Sequence, residues 1–177
     1  MELSATISKQ LRLKYYLTIL LLLVLFSGCG VYSFTGASIS PEIKTISIQY
    51  FPNNAPLIEA TLSQSFTDAL RDKFVSQTNL TLITNGGDLS IEGEITGYNT
   101  MPVAIQGNEV AALNRLTISV NVIFVNNFDD TKDFETKFSH YVDYPSNQNL
   151  SSVKETLITQ INEMIVEDIF NKAVVNW

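Results

Sequence analysis

The feature that most constrains the fold is the clearest alternation of apolar and polar residues in the chain, which lies in its middle. The apolar positions are Leu116, Ile118, Val120, Val122 and Phe124, and the polar positions between them are Thr117, Ser119 and Asn121. A period of two residues is typical of a β-strand that buries one face and exposes the other. The segment therefore predicts a half-buried strand of a sheet.

Neighbouring segments predict the other strands of this sheet. Apolar and polar residues alternate over Leu89–Thr96, and a turn over Asn126–Asp130 precedes a partner strand over Phe134–Val142. Shorter apolar segments at 43–51 and 80–83 are each followed by turn residues and predict two more strands.

Two segments repeat apolar residues at helical spacing. The first runs from Pro56, which suits the first turn of a helix, to about Val75. The second begins at Ser152, where Ser152 and Glu155 fit a capping box. The order of strand, helix, several strands and helix predicts an α+β domain, a small mixed β-sheet with two α-helices packed on one face.

The first 28 residues predict an export signal rather than part of the domain. Lys9, Arg12 and Lys14 precede the apolar run Tyr15–Phe26, and two small residues follow it. This run of about twelve residues measures about 18 Å as a helix, whereas a helix of ~20 residues is needed to cross a bilayer. A buried core helix is the alternative, but such a helix normally keeps a polar face. We therefore predict residues 1–28 to be a signal peptide.

The signal ends in Phe26-Ser27-Gly28-Cys29, which resembles the lipobox of bacterial lipoproteins, where a diacylglyceryl group alkylates the cysteine before cleavage. Phe26 departs from the aliphatic residue that is usual three positions before the cysteine. An ordinary signal followed by an unpaired thiol is the alternative, but a single cysteine has no disulfide partner in an oxidising compartment. We predict lipid attachment at Cys29, a Gly/Ser-rich tether over 29–41 and one domain over 42–177.

The residue after the cysteine bears on location. Gly30 stands in place of the acidic residue that marks inner-membrane retention in the lipoproteins that the chain resembles. The predicted location is the inner leaflet of the outer membrane, with the domain facing the periplasm. Removal of residues 1–28 takes away three basic residues and one acidic residue, so the net charge changes from −7 to −9. Such a charge does not suit nucleic acid or an anionic membrane surface.

The ionisable residues show no catalytic or metal-binding pattern. His140 is the only histidine and is expected to make a cross-strand polar contact, and no pair of Cys or His residues exists to hold zinc. Glu92 and Glu94 are expected about 7 Å apart on one strand face, where solvation is a simpler explanation than acid–base work. The sequence therefore predicts no enzyme, no metal and no cofactor.

Two uncharged segments predict a binding function instead. The polar side of the predicted strand, at Thr117, Ser119 and Asn121, carries no charge, so its removal from water costs little free energy. The cores of protein interfaces are likewise depleted in charged residues. The loop Met101–Asn114 is largely apolar and has Glu109 as its only charged residue. Such a loop either packs on its own domain or docks into a partner.

Taken together, the chain resembles the LptE family, the lipoprotein subunit of the outer-membrane lipopolysaccharide translocon, and most closely its branch in Bacteroidetes. The segments that carry the resemblance are Cys29–Phe34, Thr45–Ile48 with Tyr50–Phe51, Gly93–Tyr98, Asn114–Ile118, Glu167–Asn171 and the final Trp177. Their order and spacing make the resemblance, because none is a catalytic signature. It implies a mixed sheet with two helices on one face. It also implies a plug inside a large β-barrel, the LptD protein, whose assembly and lipopolysaccharide delivery the plug assists.

The resemblance further implies a weak lipopolysaccharide site at Arg115, the only basic residue between Lys73 and Lys132. An ordinary strand-end cation is the alternative for Arg115. For the whole chain, the second hypothesis is a stand-alone periplasmic lipoprotein that binds a lipid or a peptide. A hydrolase is the third hypothesis and lacks a nucleophile.

Overall fold

Five strands, two α-helices, a 3-10 turn (Asp130–Lys132) and a π-helical turn (Asn171–Val175) are found in the part of the chain that the computed structural model describes, residues 39–103 and 113–175. The strands are β1 (Thr45–Ile48), β2 (Thr81–Ile83), β3 (Leu89–Val103), β4 (Leu113–Asn126) and β5 (Phe134–Pro145). The helices are α1 (Leu62–Gln77) and α2 (Leu150–Phe170). The predicted α+β fold with a mixed sheet is confirmed.

The sheet has the order β2-β1-β3-β4-β5. β1 runs parallel to β2 and β3, whereas β3, β4 and β5 form an antiparallel meander. Ile46 of β1 pairs with Leu89 at the start of β3, and we call this the tether end, because residues 39–41 lead into it. β3 and β4 meet at the opposite hairpin end, where Val103 pairs with Leu113. The chain therefore enters the sheet at one end and turns back at the other.

Both helices cover one face of the sheet. The inward side chains of β4 are 0–1% exposed, as the alternation predicts; they are Leu116, Ile118, Val120, Val122 and Phe124. Phe51 meets Phe66 of α1 edge to face with ring centroids 5.1 Å apart, and Phe74 of α1 meets Phe170 of α2 in the same way. Aromatic pairs of this kind join the helices to each other and α1 to the segment after β1.

Two glycines of β3, Gly93 and Gly97, lie in different structural environments. A Cβ on Gly93 would lie 2.1 Å from the carbonyl oxygen of Asn121, so β3 and β4 leave no room for a side chain there. Gly97 lies at a β-bulge, where the pairing shifts between Ile95 and Gly97. The bulge moves the following residues by one position, and Tyr98 is therefore buried on the helix side at 3% exposure.

The predicted start of the first helix was wrong. α1 begins at Leu62 rather than at Pro56, because the segment after β1 continues along β3. Ile95 donates its backbone N–H to the Pro52 carbonyl oxygen, and Asn54 donates to the Ile95 carbonyl oxygen. Backbone pairing with a distant strand therefore replaces the helix that the apolar spacing before Leu62 predicts. Ile58, which the predicted helix would bury, is 73% exposed.

The start of the second helix also differs from the prediction. The N-cap is Asn149 rather than Ser152, and its Oδ1 accepts a hydrogen bond from the Ser151 N–H. Asn149 has extended backbone angles, which suit an N-cap. The partner strand β5 likewise extends to Pro145, beyond the predicted end at Val142.

Asp88 fastens the beginning of β1 to the beginning of β3. Its carboxylate accepts N–H bonds from Lys44 at 2.8 Å and from Thr45 at 2.9 Å, and these donors hold the pKa of Asp88 below its ordinary value of 3.8. A carboxylate whose pKa is lower in the folded state stabilises the fold above its unfolded pKa and loses that effect as the pH falls.

We expect Asp88→Asn to lower the free energy of unfolding at neutral pH, because a neutral amide accepts these N–H bonds more weakly. The difference from the wild type should shrink as the pH falls below 3.8. Urea titrations of both proteins at neutral pH and at a pH below 3.8 measure this difference in the free energy of unfolding. A difference that stays constant with pH would contradict this role of the carboxylate.

Candidate interaction surface

The side of β3, β4 and β5 that faces away from the helices is called here the open face. Its outward positions include Ser90, Glu92, Glu94 and Asn99 of β3, Thr117, Ser119 and Asn121 of β4, and Glu135, Lys137, Ser139 and Tyr141 of β5. The predicted outward side of the central strand is confirmed. Charged side chains lie toward both ends of this face, with Arg115 and Asp143 near the hairpin end, whereas its middle is uncharged.

Hydroxyl groups occupy the middle of the open face. Ser119 Oγ lies 2.9 Å from Ser139 Oγ across β4 and β5, and Ser139 Oγ also donates to the Ile118 carbonyl oxygen at 3.3 Å. Gly97 lies opposite Ser119 on the other flank, so no side chain rises above the hydroxyl pair from β3. Because these groups satisfy one another, covering them costs less than covering a free charge.

Arg115, the residue that the sequence predicts as a lipopolysaccharide contact, lies near the hairpin end of the open face. Its Nε and Nη2 donate to the two carboxylate oxygens of Asp143 at 2.7 and 2.9 Å. The guanidinium also lies 3.6 Å from the ring centroid of Tyr141. This bidentate contact lowers the pKa of Asp143 and raises that of Arg115. An anion that approaches Arg115 therefore competes with a carboxylate already in place.

The partner Asp143 was missed by the sequence reasoning, although a signal for it existed. Phe124 pairs with Phe134 beside the turn, and counting outward in antiparallel register places residue 115 opposite residue 143. The predicted end of β5 at Val142 stopped one residue short of this pair.

The predicted contact of His140 was wrong in its partner. His140 faces the helices, and its Nε2 lies 2.6 Å from Oδ2 of Asp168 on α2, so the contact joins strand to helix rather than strand to strand. Glu92 and Glu94 share the open face as predicted, and Glu94 accepts a bond from the Asn54 amide. Across residues 39–103 and 113–175, no three acidic, His or Cys side chains come together as metal ligands do.

Several large apolar side chains are exposed, on different parts of the domain. Met101 of β3 is 49% exposed, and Leu57 and Ile58 are also exposed beside Glu59, whose carboxylate pairs with Lys154 at the start of α2 at 2.9 Å. Cys29, the predicted lipid attachment residue, and most of the apolar loop, residues 104–112, lie outside the described residues. In the part that is described, no helix has the length and apolarity to span a bilayer.

The family follows from a sequence comparison. The model of the LptE family, described as lipopolysaccharide-assembly, matches residues 43–173. The chain belongs to the LptE family. The match covers all five strands and both helices, including the open face. LptE proteins are lipoproteins that act in lipopolysaccharide assembly without an enzymatic reaction, and this chain therefore has a role in that assembly.

Several solved structures are similar to the chain at low sequence identity. A minor lipoprotein from Acinetobacter baumannii is 10% identical, with 74% of this chain and 92% of that chain covered and a TM-score of 0.45. Uncharacterized lipoprotein B from Nitrosomonas europaea is 12% identical, with 81% and 88% covered and a TM-score of 0.46. The hypothetical protein CT253 from Chlamydia trachomatis is 10% identical, with 76% and 99% covered and a TM-score of 0.48. No curated protein matches the sequence significantly.

Proposed function

We propose that this LptE protein is the lipoprotein partner of an LptD-type β-barrel in the outer membrane, where it assists barrel assembly and lipopolysaccharide delivery. The observation that carries the proposal is the open face, a broad sheet surface that no described element covers and whose middle is uncharged. Interface cores have this composition, because burying free charges on association is costly. The mechanism is occupancy and guidance, with no bond made or broken.

The helix side of the domain suits such a partner less well. Exposed carboxylates cover its outer surface; they are Asp68, Asp72, Glu155, Glu163, Glu167 and Asp168. Lys73 pairs with Glu167, and Lys154 pairs with Glu59, but several carboxylates remain in excess. This excess of negative charge repels anionic lipopolysaccharide and is costly to bury in an apolar interface. The open face is therefore the docking surface in our proposal.

The location in this proposal rests on the lipobox. Lipid at Cys29 holds the chain in the inner leaflet of the outer membrane, and the domain faces the periplasm or the barrel lumen. Two acyl chains are enough for stable anchoring. A lipid-anchored domain can then meet the barrel within the membrane layer in which the barrel itself resides.

A detergent pull-down from cells through a tag placed after Trp177 tests the partnership. Recovery of an outer-membrane barrel protein is the expected result. Recovery of the chain alone, carrying only a small lipid, would overturn it in favour of a stand-alone lipid-binding lipoprotein. A charge placed on the open face by Thr117→Lys should lower barrel recovery, whereas the same charge on exposed Thr156 of α2 should not. Equal recovery with both variants would exclude the open face.

Arg115 is our proposed contact for an anionic group of lipopolysaccharide. Because Asp143 competes with that anion, the two residues should act in opposite directions. We expect Arg115→Ala to weaken lipopolysaccharide binding about tenfold while the fold is retained. Asp143→Asn should strengthen binding, since it removes the competing charge. Calorimetric titration of both variants checks this, and unchanged affinity in both would show that Arg115 is only a strand-end cation.

A further inference from the structure

The outer edge of β5 is long and regular. β5 comprises twelve residues, Phe134–Pro145, and pairs with β4 without a register shift. Among residues 39–103 and 113–175, no strand pairs with its other side. Its only proline is the last residue, so the backbone N–H and C=O groups along this edge can accept another strand.

The hydrophobic core is incompletely covered along the same edge. The inward apolar residues of β4 are 0–1% exposed, whereas Phe138 and Val142 of β5 are only partly buried. Met164 and Val153 of α2 are also partly buried against this core. A strand added beside β5 would cover this row, and burial of apolar surface would favour its addition.

We propose that β5 pairs in antiparallel orientation with β5 of a second copy of this chain, with the two-fold axis at His140. In this register Lys137 of each copy faces Asp143 of the other, so two opposite-charge pairs form by symmetry. On the helix side Phe138 faces Val142, and the partly covered apolar row of each copy meets that of the other. The two five-stranded sheets join into one.

Charge complementarity selects this register over its neighbours. An axis at Ser139 places Glu135 of each copy opposite Asp143 of the other, which brings like charges together twice. An axis at Phe138 places Glu135 opposite Tyr141 and Lys137 opposite Ser139, and forms no attractive charge pair. An axis at Tyr141 leaves Lys137 opposite Pro145 and forms no charge pair. Directly opposed like charges on adjacent strands are destabilising, so the axis at His140 is the favourable one.

Sedimentation of the full chain, produced without a barrel partner and purified in detergent, tests the dimer over a concentration series. We expect a dimer whose association Lys137→Glu weakens about tenfold, since two attractive pairs become repulsive. Lys44→Glu, at the residue before β1, makes the same charge change far from β5 and should leave the association unchanged. A chain that stays monomeric throughout the series would overturn the proposal, as would equal effects of the two substitutions.

Disulfide formation tests the register separately. His140→Cys should form a disulfide-linked dimer under mild oxidation, because position 140 faces itself across the axis. Ser139→Cys should not, because it faces position 141 of the other copy and the two thiols lie about 7–8 Å apart. The unsubstituted chain gives the background from Cys29. Linkage through position 139 alone would overturn the register. Since no barrel is present, neither result depends on whether the proposed LptD partnership holds.

Discussion

Gly93→Ala is expected to destabilise the domain by about 3 kcal/mol, near the upper end for one added methyl group. The new Cβ would lie 2.1 Å from the Asn121 carbonyl oxygen and 2.7 Å from Cε1 of Phe51, so β3 must move away from β4 or the buried ring must shift. Neither change is small, because this carbonyl belongs to the backbone of β4, which is paired with β3 on one side and β5 on the other. The shift of the urea midpoint, with circular dichroism as the signal, measures the loss.

Gly97→Ala on the same strand is the matched control. Its Cβ would meet Ser119 Cβ at 3.2 Å, a contact that a shift of a few tenths of an ångström relieves. We expect a loss below about 1 kcal/mol, since alanine also reduces the freedom of the unfolded chain. Equal losses at the two positions would show that crowding against β4 is not what requires glycine at 93.

Cys29→Ser is expected to move the protein from the membrane fraction to the soluble periplasmic fraction. A serine hydroxyl is not alkylated as a thiolate is, and each acyl methylene lost removes about 0.8 kcal/mol of membrane affinity. The described domain, which begins at residue 39, should stay folded. Fractionation followed by mass spectrometry of the mature N-terminus measures both the location and the modification.

Gly30→Asp separates lipidation from sorting. An acidic residue after the cysteine marks inner-membrane retention in the lipoproteins that the chain resembles, so this variant should stay lipidated and shift to the inner-membrane fraction on a density gradient. A Cys29→Ser protein that remains on washed membranes would contradict lipid anchoring at this residue, whatever the location of the Gly30→Asp variant.

The strands were predictable where burial alone determines their pattern. The alternation over 116–124 identifies β4 and its two faces, because a strand packed on one side has no other way to bury its apolar residues. The same rule failed after Ile95, since the bulge before Gly97 reverses the two faces and leaves no clear local signature. Tyr98 was therefore not expected among the core residues.

Contacts between distant segments were not predictable from local patterns. Pro56 suits a helix start, yet the backbone hydrogen bonds between residues 52–54 and Ile95 keep this segment extended, and the helix begins only at Leu62. The order of the strands is also a property of the whole sheet, and only that order makes β5 an edge. The ion pair of Arg115 with Asp143 was partly predictable. Counting the antiparallel register outward from the turn places the two residues opposite each other, provided that β5 is extended beyond Val142.

The length of β3 gives the domain a definite depth. At about 3.3 Å per residue, the fifteen residues of β3 extend roughly 45 Å, about the thickness of a bilayer with its headgroups. Residues 39–41 lead into one end of this span, and the exposed side chain of Met101 lies close to the other. Contacts made at the hairpin end are therefore about one membrane thickness away from the tether end, where the described chain enters the sheet.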